Sequence, residues 1–141
     1  MNKLSFIQTS YKGSSFDEFA IDGRPLSTII ETQDGYCPIS RKQSWADSDS
    51  NDYLKCLMLK MKSSLSSGRP ILYYLCKHCG DINCGIISVK VEEIDDFIIW
   101  KDFQVEHNAE ITPVKFLKTL RGPLRFSKKE YFELLNSRMH G

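Results

Sequence analysis

The sequence predicts an α+β fold: a single domain over residues 1–141, with a central antiparallel sheet made of an N-terminal hairpin and a three-stranded meander, flanked by two or three helices. Three observations carry that expectation. A block rich in β-branched and aromatic residues fills 70–106, apolar residues recur at helical spacing between Leu54 and Leu65, and Ser127-Lys128-Lys129-Glu130 has the form of a helix start. With 141 residues, 41% apolar and 26% charged, the chain has the composition of one packed core rather than of a disordered segment.

In chain order, 4–11 and 16–21 carry β-branched and aromatic residues in near alternation around Gly13-Ser14-Ser15, which reads as a hairpin. After Asp22-Gly23, Pro25 stands where a first helical turn tolerates its missing N–H, so a short helix with Leu26, Ile29 and Ile30 on one face is expected. Residues 33–52 are polar and read as a loop, anchored to the core by Trp45. Leu54, Leu57, Met58, Met61 and Leu65 then repeat at helical spacing; a preceding Ser or Asp supplies the cap, and 63–68 ends the helix.

The meander has strands at 71–75, 86–91 and 97–103. A turn at Asp95-Asp96 joins the last two, and a cysteine-bearing loop joins the first two. In the final element Ser127 is placed to accept from the Glu130 N–H and Glu130 to return to the Ser127 N–H. Tyr131, Leu134, Leu135 and Arg138 give that helix a face to dock on the sheet.

The balance of 19 Lys and Arg against 18 Asp and Glu leaves a net charge of +1, without the global positive field of a nucleic-acid binder, so no direct nucleic-acid partner is expected. Five cysteines, an odd count, and an N-terminus without a long apolar stretch speak against a secreted disulfide framework and for the cytoplasm. No run approaches the roughly 20 apolar residues that cross a bilayer. The phosphate-loop, dinucleotide, nucleophile-elbow and zincin signatures are all missing, and His78, His107 and His140 are scattered, so no enzyme is expected.

One segment has the residue types for site chemistry. Cys76, Cys79 and Cys84 stand at C-x2-C-x4-C spacing, with Gly80 and Gly85 beside two of them; such a trio can present three tetrahedral zinc ligands, His107, Cys37 or His78 supplying a fourth. A redox dithiol is a second possibility, although such pairs sit where a strand enters a helix and here the following flank is a strand. The third is a hairpin loop whose cysteines pack as small hydrophobes around a Gly80-Asp81 turn.

Charge is distributed unevenly along the chain. From Asp81 to Glu110 eight acids face only Lys90 and Lys101, whereas from Lys115 to Arg138 seven bases face Glu130 and Glu133. The two blocks either cancel across the fold as solvated faces or leave an acidic sheet edge or loop tip that recognises a basic protein surface.

Several segments taken together carry a resemblance. They are 16–26 (Phe-Asp-Glu-Phe-Ala-Ile-Asp-Gly-Arg-Pro-Leu), Trp45, Gly68-Arg69, the loop from Leu75-Cys76 through Cys79-Gly80-Asp81 to Cys84-Gly85, Trp100-x-Asp102-Phe103, and Gly122-Pro123-Leu124-x-Phe126 with Tyr131. Over nearly the whole chain this order resembles a widespread family of small bacterial proteins that carries no established activity. By type, as a small single domain without catalytic signature and with a charge-polarised sequence, the chain is also similar to the immunity proteins of contact-dependent growth inhibition systems. That likeness implies a cytosolic protein that binds and neutralises a cognate toxin, a nuclease domain for instance, with contacts from Asp47, Asp49, Asp52, Glu92, Glu93, Asp95 and Asp96. The alternative is a zinc-stabilised regulatory or nucleic-acid-binding module built on Cys76, Cys79 and Cys84.

Overall fold

In the computed structural model, which describes residues 1–11, 14–26, 48–63, 65, 67–74, 86–107, 110–113 and 123–139, the N-terminal alternation produces two paired strands. β1 (Leu4–Tyr11) and β2 (Ser14–Ile21) run antiparallel in unbroken register from Leu4↔Ile21 to Tyr11↔Ser14. At the following turn both Asp22 and Gly23 have positive φ, 52° and 83°, the pattern of a tight Asp-Gly hairpin turn. It folds the chain straight back as β3 (Arg24–Pro25), with Ala20↔Pro25 and Ile21↔Arg24 as partners. Pro25 therefore lies in an edge strand, where its missing N–H is as harmless as in a first helical turn. Leu26, the first residue of the face expected for the following helix, is helical and fully buried, and the rest of that helix lies outside the described residues.

The chain continues through α1 (Ser48–Leu57) into the meander, which forms as predicted. β4 (Ile71–Tyr74), β5 (Ile86–Ile94) and β6 (Phe97–His107) are antiparallel neighbours. Two further strands that the sequence did not announce, β7 (Glu110–Pro113) and β8 (Leu124–Ser127), lie along the other side of β6, β7 against residues 104–107 and β8 against residues 97–100. The last element is α2 (Lys128–Ser137).

A mixed α+β architecture is thus present, but the expected central sheet is two sheets, one of three strands and one of five. The Asp22-Gly23 turn lays β3 on the edge of β2, and within the core the sheets meet through side chains. Phe19 of β2 packs edge-on against Trp100 of β6, with ring centroids 5.5 Å apart. Leu4, Ile21, Leu54, Leu72 and Leu135 join the same core from five different elements.

Two polar devices tie the elements together, one in the core and one at the surface. The Trp100 indole N–H donates to the Tyr131 hydroxyl at 3.0 Å, and the hydroxyl donates to the Leu57 carbonyl at 2.6 Å, linking β6, α2 and the end of α1. At the surface, Asn2 ties the first sheet to the second. Its backbone N–H donates to the Arg125 carbonyl at 2.8 Å. Its side-chain oxygen accepts from the Arg125 N–H at 3.0 Å, and its amide donates to Asp22 at 2.9 Å.

α1 corrects the expected boundaries at both ends. Residues 48–52, read as loop, are its first half, an acidic and serine-rich turn that suits the positive end of the helix dipole. The expected run to Leu65 stops at Leu57, and Met61 lies beyond it. The Lys60 N–H reaches the Lys55 carbonyl at 2.9 Å and the Leu59 N–H the Cys56 carbonyl at 3.1 Å, a Schellman closure with Leu59 in the left-handed region at φ 61°. Glycine is the residue this position favours. Leu59→Gly is expected to stabilise the fold by about 0.5–1 kcal/mol, read as a higher urea midpoint at unchanged slope. A lower midpoint would mean that the half-exposed leucine contributes more by packing than its backbone costs.

The start of α2 follows the sequence: Ser127 caps it, its hydroxyl accepting from the Glu130 N–H at 3.4 Å, while the return bond from the Glu130 carboxylate is not formed among the described residues. Tyr131 and Leu135 are buried, and the Arg138 guanidinium lies over the Phe6 ring at 4.6 Å. Among the described residues no helix is long and apolar enough to cross a membrane. The Trp45 anchor and the cap of α1 lie outside the described residues, as does His140.

Candidate protein-binding surface

The surface begins with a phase shift in β6. Ile98 and Trp100 face the core, but so do Phe103 and Val105, which an unbroken strand would turn outward. The register shows why: Ser88 pairs with Gln104 and Lys90 with Lys101, so Asp102 and Phe103 together oppose the single residue Val89. This is a β-bulge, with Asp102 at φ 52°. Arg69 secures it. The guanidinium donates through Nε to the Ser88 hydroxyl at 3.0 Å and through Nη2 to the Asp102 carbonyl, while Ser67 donates to Glu106 beside it at 3.0 Å. Burial lowers the Arg69 pKa by more than the neighbouring Glu106 and Asp102 raise it, yet a guanidinium stays protonated.

Ser88 is fully buried and has Arg69 as its side-chain donor. Arg69→Met should therefore cost about 2–3 kcal/mol, and Ser88→Ala added to it should recover part of the loss. Urea unfolding of the two variants checks this.

Beyond the bulge, β5 and β6 continue to their hairpin with one face on the core and the other outward. Ile94, Phe97 and Ile99 meet on the outward face, Ile94 and Phe97 as direct partners. The Arg125 guanidinium covers Phe97 at 4.5 Å, a cation–π contact. Around this apolar centre stand Lys90, Glu92 and Lys101. Lys90 and Lys101 are cross-strand partners, a like-charge pairing that is unfavourable alone. Glu92 offsets it by binding both, Lys101 at 3.0 Å and Lys90 at 3.4 Å. Those bonds, with Lys101 the stronger influence, hold the Glu92 carboxyl below its ordinary pKa.

The predicted acids differ in state. Glu93 pairs with Lys128, so the basic C-terminal stretch already neutralises part of the acidic meander. Asp95 and Asp96 form the turn, are exposed, and make no ion pair among the described residues. Between Glu93 and Asp95, Ile94 remains 48% exposed. The Lys128 N–H donates to the Asp96 carbonyl at 2.9 Å, anchoring the turn to the start of α2.

No family model matches the chain, and no curated protein or solved structure does. An apolar centre rimmed by charge on a rigid two-stranded support is the composition of a protein-recognition patch.

Of the remaining predicted residues, only Asp52 has a described side chain. Asp52 lies on α1, and no hydrogen bond or ion pair among the described residues connects it to the hairpin. Asp49 is on the same helix with its side chain outside the described residues, where Asp47 also lies. The cysteine loop with Cys76, Cys79 and Cys84 is outside them too, and among the described residues no group of three His, Cys, Asp or Glu side chains is arranged to hold a metal. Cys56, on α1, is half-buried; burial and then Asp52 push its thiol pKa up, which makes it less reactive.

Proposed function

We propose that this chain is an immunity protein that acts in the cytoplasm by binding and neutralising a cognate toxin, and that the end of the β5–β6 hairpin carries the contact. The observation behind this reading is the exposed Ile94 between Glu93 and Asp95, on a turn fixed to α2. Such a surface needs little ordering on association, so more of the contact energy appears as affinity. Asp95 and Asp96, which make no ion pair among the described residues, supply the negative charge that speeds encounter with a basic partner such as a nuclease domain. Neutralisation then follows from covering the toxin's substrate groove, with no catalysis by the chain itself.

Co-purification with the product of the gene immediately upstream is the decisive experiment. Failure to bind that product, or to protect cells from it, would sink the proposal. Within a complex, reversing Asp95 and Asp96 to lysine should slow association by about tenfold at low salt and by much less at physiological salt. Glu92→Lys should slow it less, because Glu92 is already compensated by two lysines. Equal association rates for all three proteins would remove the acidic turn from the contact.

A further inference from the structure

Strand β5 extends past the strand that flanks it. β4 pairs with it only at residues 86–88, and the last bond on that side runs from the Val89 N–H to the Pro70 carbonyl at 3.1 Å. Backbone groups alternate in direction along a strand, so the orientation of Val89 determines the rest. Lys90, Glu92 and Ile94 turn theirs towards β6, as the two-residue connection from Ile94 to Phe97 also requires. Val91 and Glu93 turn their N–H and C=O groups the other way, and among the described residues nothing pairs with them.

We propose that this open edge, residues 90–94, receives a strand from the toxin, an extended segment carrying basic side chains. The inference rests on the toxin-binding reading of the hairpin and specifies how the contact is made. Two donors and two acceptors at strand spacing are matched by another strand and by little else. The edge carries no proline or glycine, and the bulge that twists the sheet lies opposite Val89, just short of it. Its side chains select the occupant: a partner residue opposite Glu92 or Glu93 gains from positive charge, and one opposite Ile94 from an apolar side chain.

A second copy of this chain fits poorly. The two-fold antiparallel pairing that joins Val91 of each copy to Glu93 of the other sets the two Glu92 side chains against each other at the closely spaced position. Moving the axis to Val91 brings the incoming strand onto Val89, whose N–H is already bonded to Pro70.

The test compares two variants in binding to the upstream gene product. Glu93→Pro removes the outward N–H at an edge position that tolerates proline, whereas Glu93→Ala keeps it and removes only the carboxylate. The proline variant should bind at least about fivefold more weakly than the alanine variant, and amide exchange at Val91 and Glu93 of the wild-type chain should slow in the complex. Tight binding with unchanged exchange at both amides overturns the edge proposal and leaves the toxin reading intact. Should the upstream product not bind, the toxin reading falls, and the edge is tested with the peptide Thr-Val-Lys-Lys-Val-Thr, capped at both ends. Amide shifts at Val91 and Glu93 with this peptide, and not with its Glu-Glu counterpart, support the edge. Equal or absent shifts overturn it. If Glu93→Pro fails to fold, the exchange measurement on the wild-type protein decides alone.

Discussion

Trp100→Ala is expected to destabilise the protein by about 3–5 kcal/mol, lowering its melting temperature by about 10–20 °C. The indole is fully buried where the two sheets face each other. Its ring meets Phe126 at 5.1 Å, Phe19 at 5.5 Å, Tyr131 at 6.1 Å and Phe103 at 6.5 Å, all close to edge-on. These neighbours come from β2, β6, β8 and α2, so no single element can move to fill the space that alanine leaves. Thermal unfolding followed by circular dichroism is the measurement; a loss below about 1 kcal/mol would mean that the sheets collapse onto one another freely.

Tyr131→Phe keeps the ring and is still expected to cost about 2–4 kcal/mol, because two buried groups lose their partner together. The Leu57 carbonyl is one of those a helix end leaves unpaired, and the Trp100 N–H has no route to solvent. Trp100→Phe in the same background removes the stranded donor, so the double variant should cost less than the two single losses summed. Additive losses would show that the hydrogen-bonded chain contributes nothing as a unit.

Burial also pushes the Tyr131 phenol above its ordinary pKa of 10.0. A phenol that holds its proton more tightly when folded stabilises the protein fully below the unfolded value; that contribution is lost as pH rises from about 10 towards the folded value. Tyr131→Phe should flatten this alkaline decline, which urea titrations at increasing pH will read.

The sequence carried local structure well and non-local structure poorly. Alternation located β1, β2 and the meander, and the capping serine located α2, because each signal lies within the element it describes. The bulge was hidden, because 97–100 are all apolar and Phe97, Ile99, Phe103 and Val105 fit an unbroken alternation as well as Ile98 and Trp100 fit a shifted one. α1 was misplaced because Met61 and Leu65 extend the helical spacing, whereas its end is set by backbone bonds at Leu59 and Lys60. β8 has four residues and its partners on β6 lie 24 to 30 positions earlier, and the division into two sheets is likewise a matter of pairing between strands rather than of any local signal. The acidic block was visible at the surface, but its partial neutralisation required knowing that Lys128 lands beside Glu93. The role of Arg69 was invisible for the same reason, since Asp102 lies 33 positions away.

The contact between Asn2 and Arg125 spans 123 positions and has a consequence for synthesis. A ribosome making residues at about 5–20 per second delivers β1, β2 and β3 roughly 5–20 s before Arg125. Arg125 and the Trp100–Tyr131 link follow only after the residues of α1 and the meander have been made. The first sheet must therefore wait with the hydrophobic face of Phe19 and Ile21 uncovered until the second arrives. Such dependence on distant partners slows folding. The interval between the two sheets is the period in which that apolar face is open to aggregation.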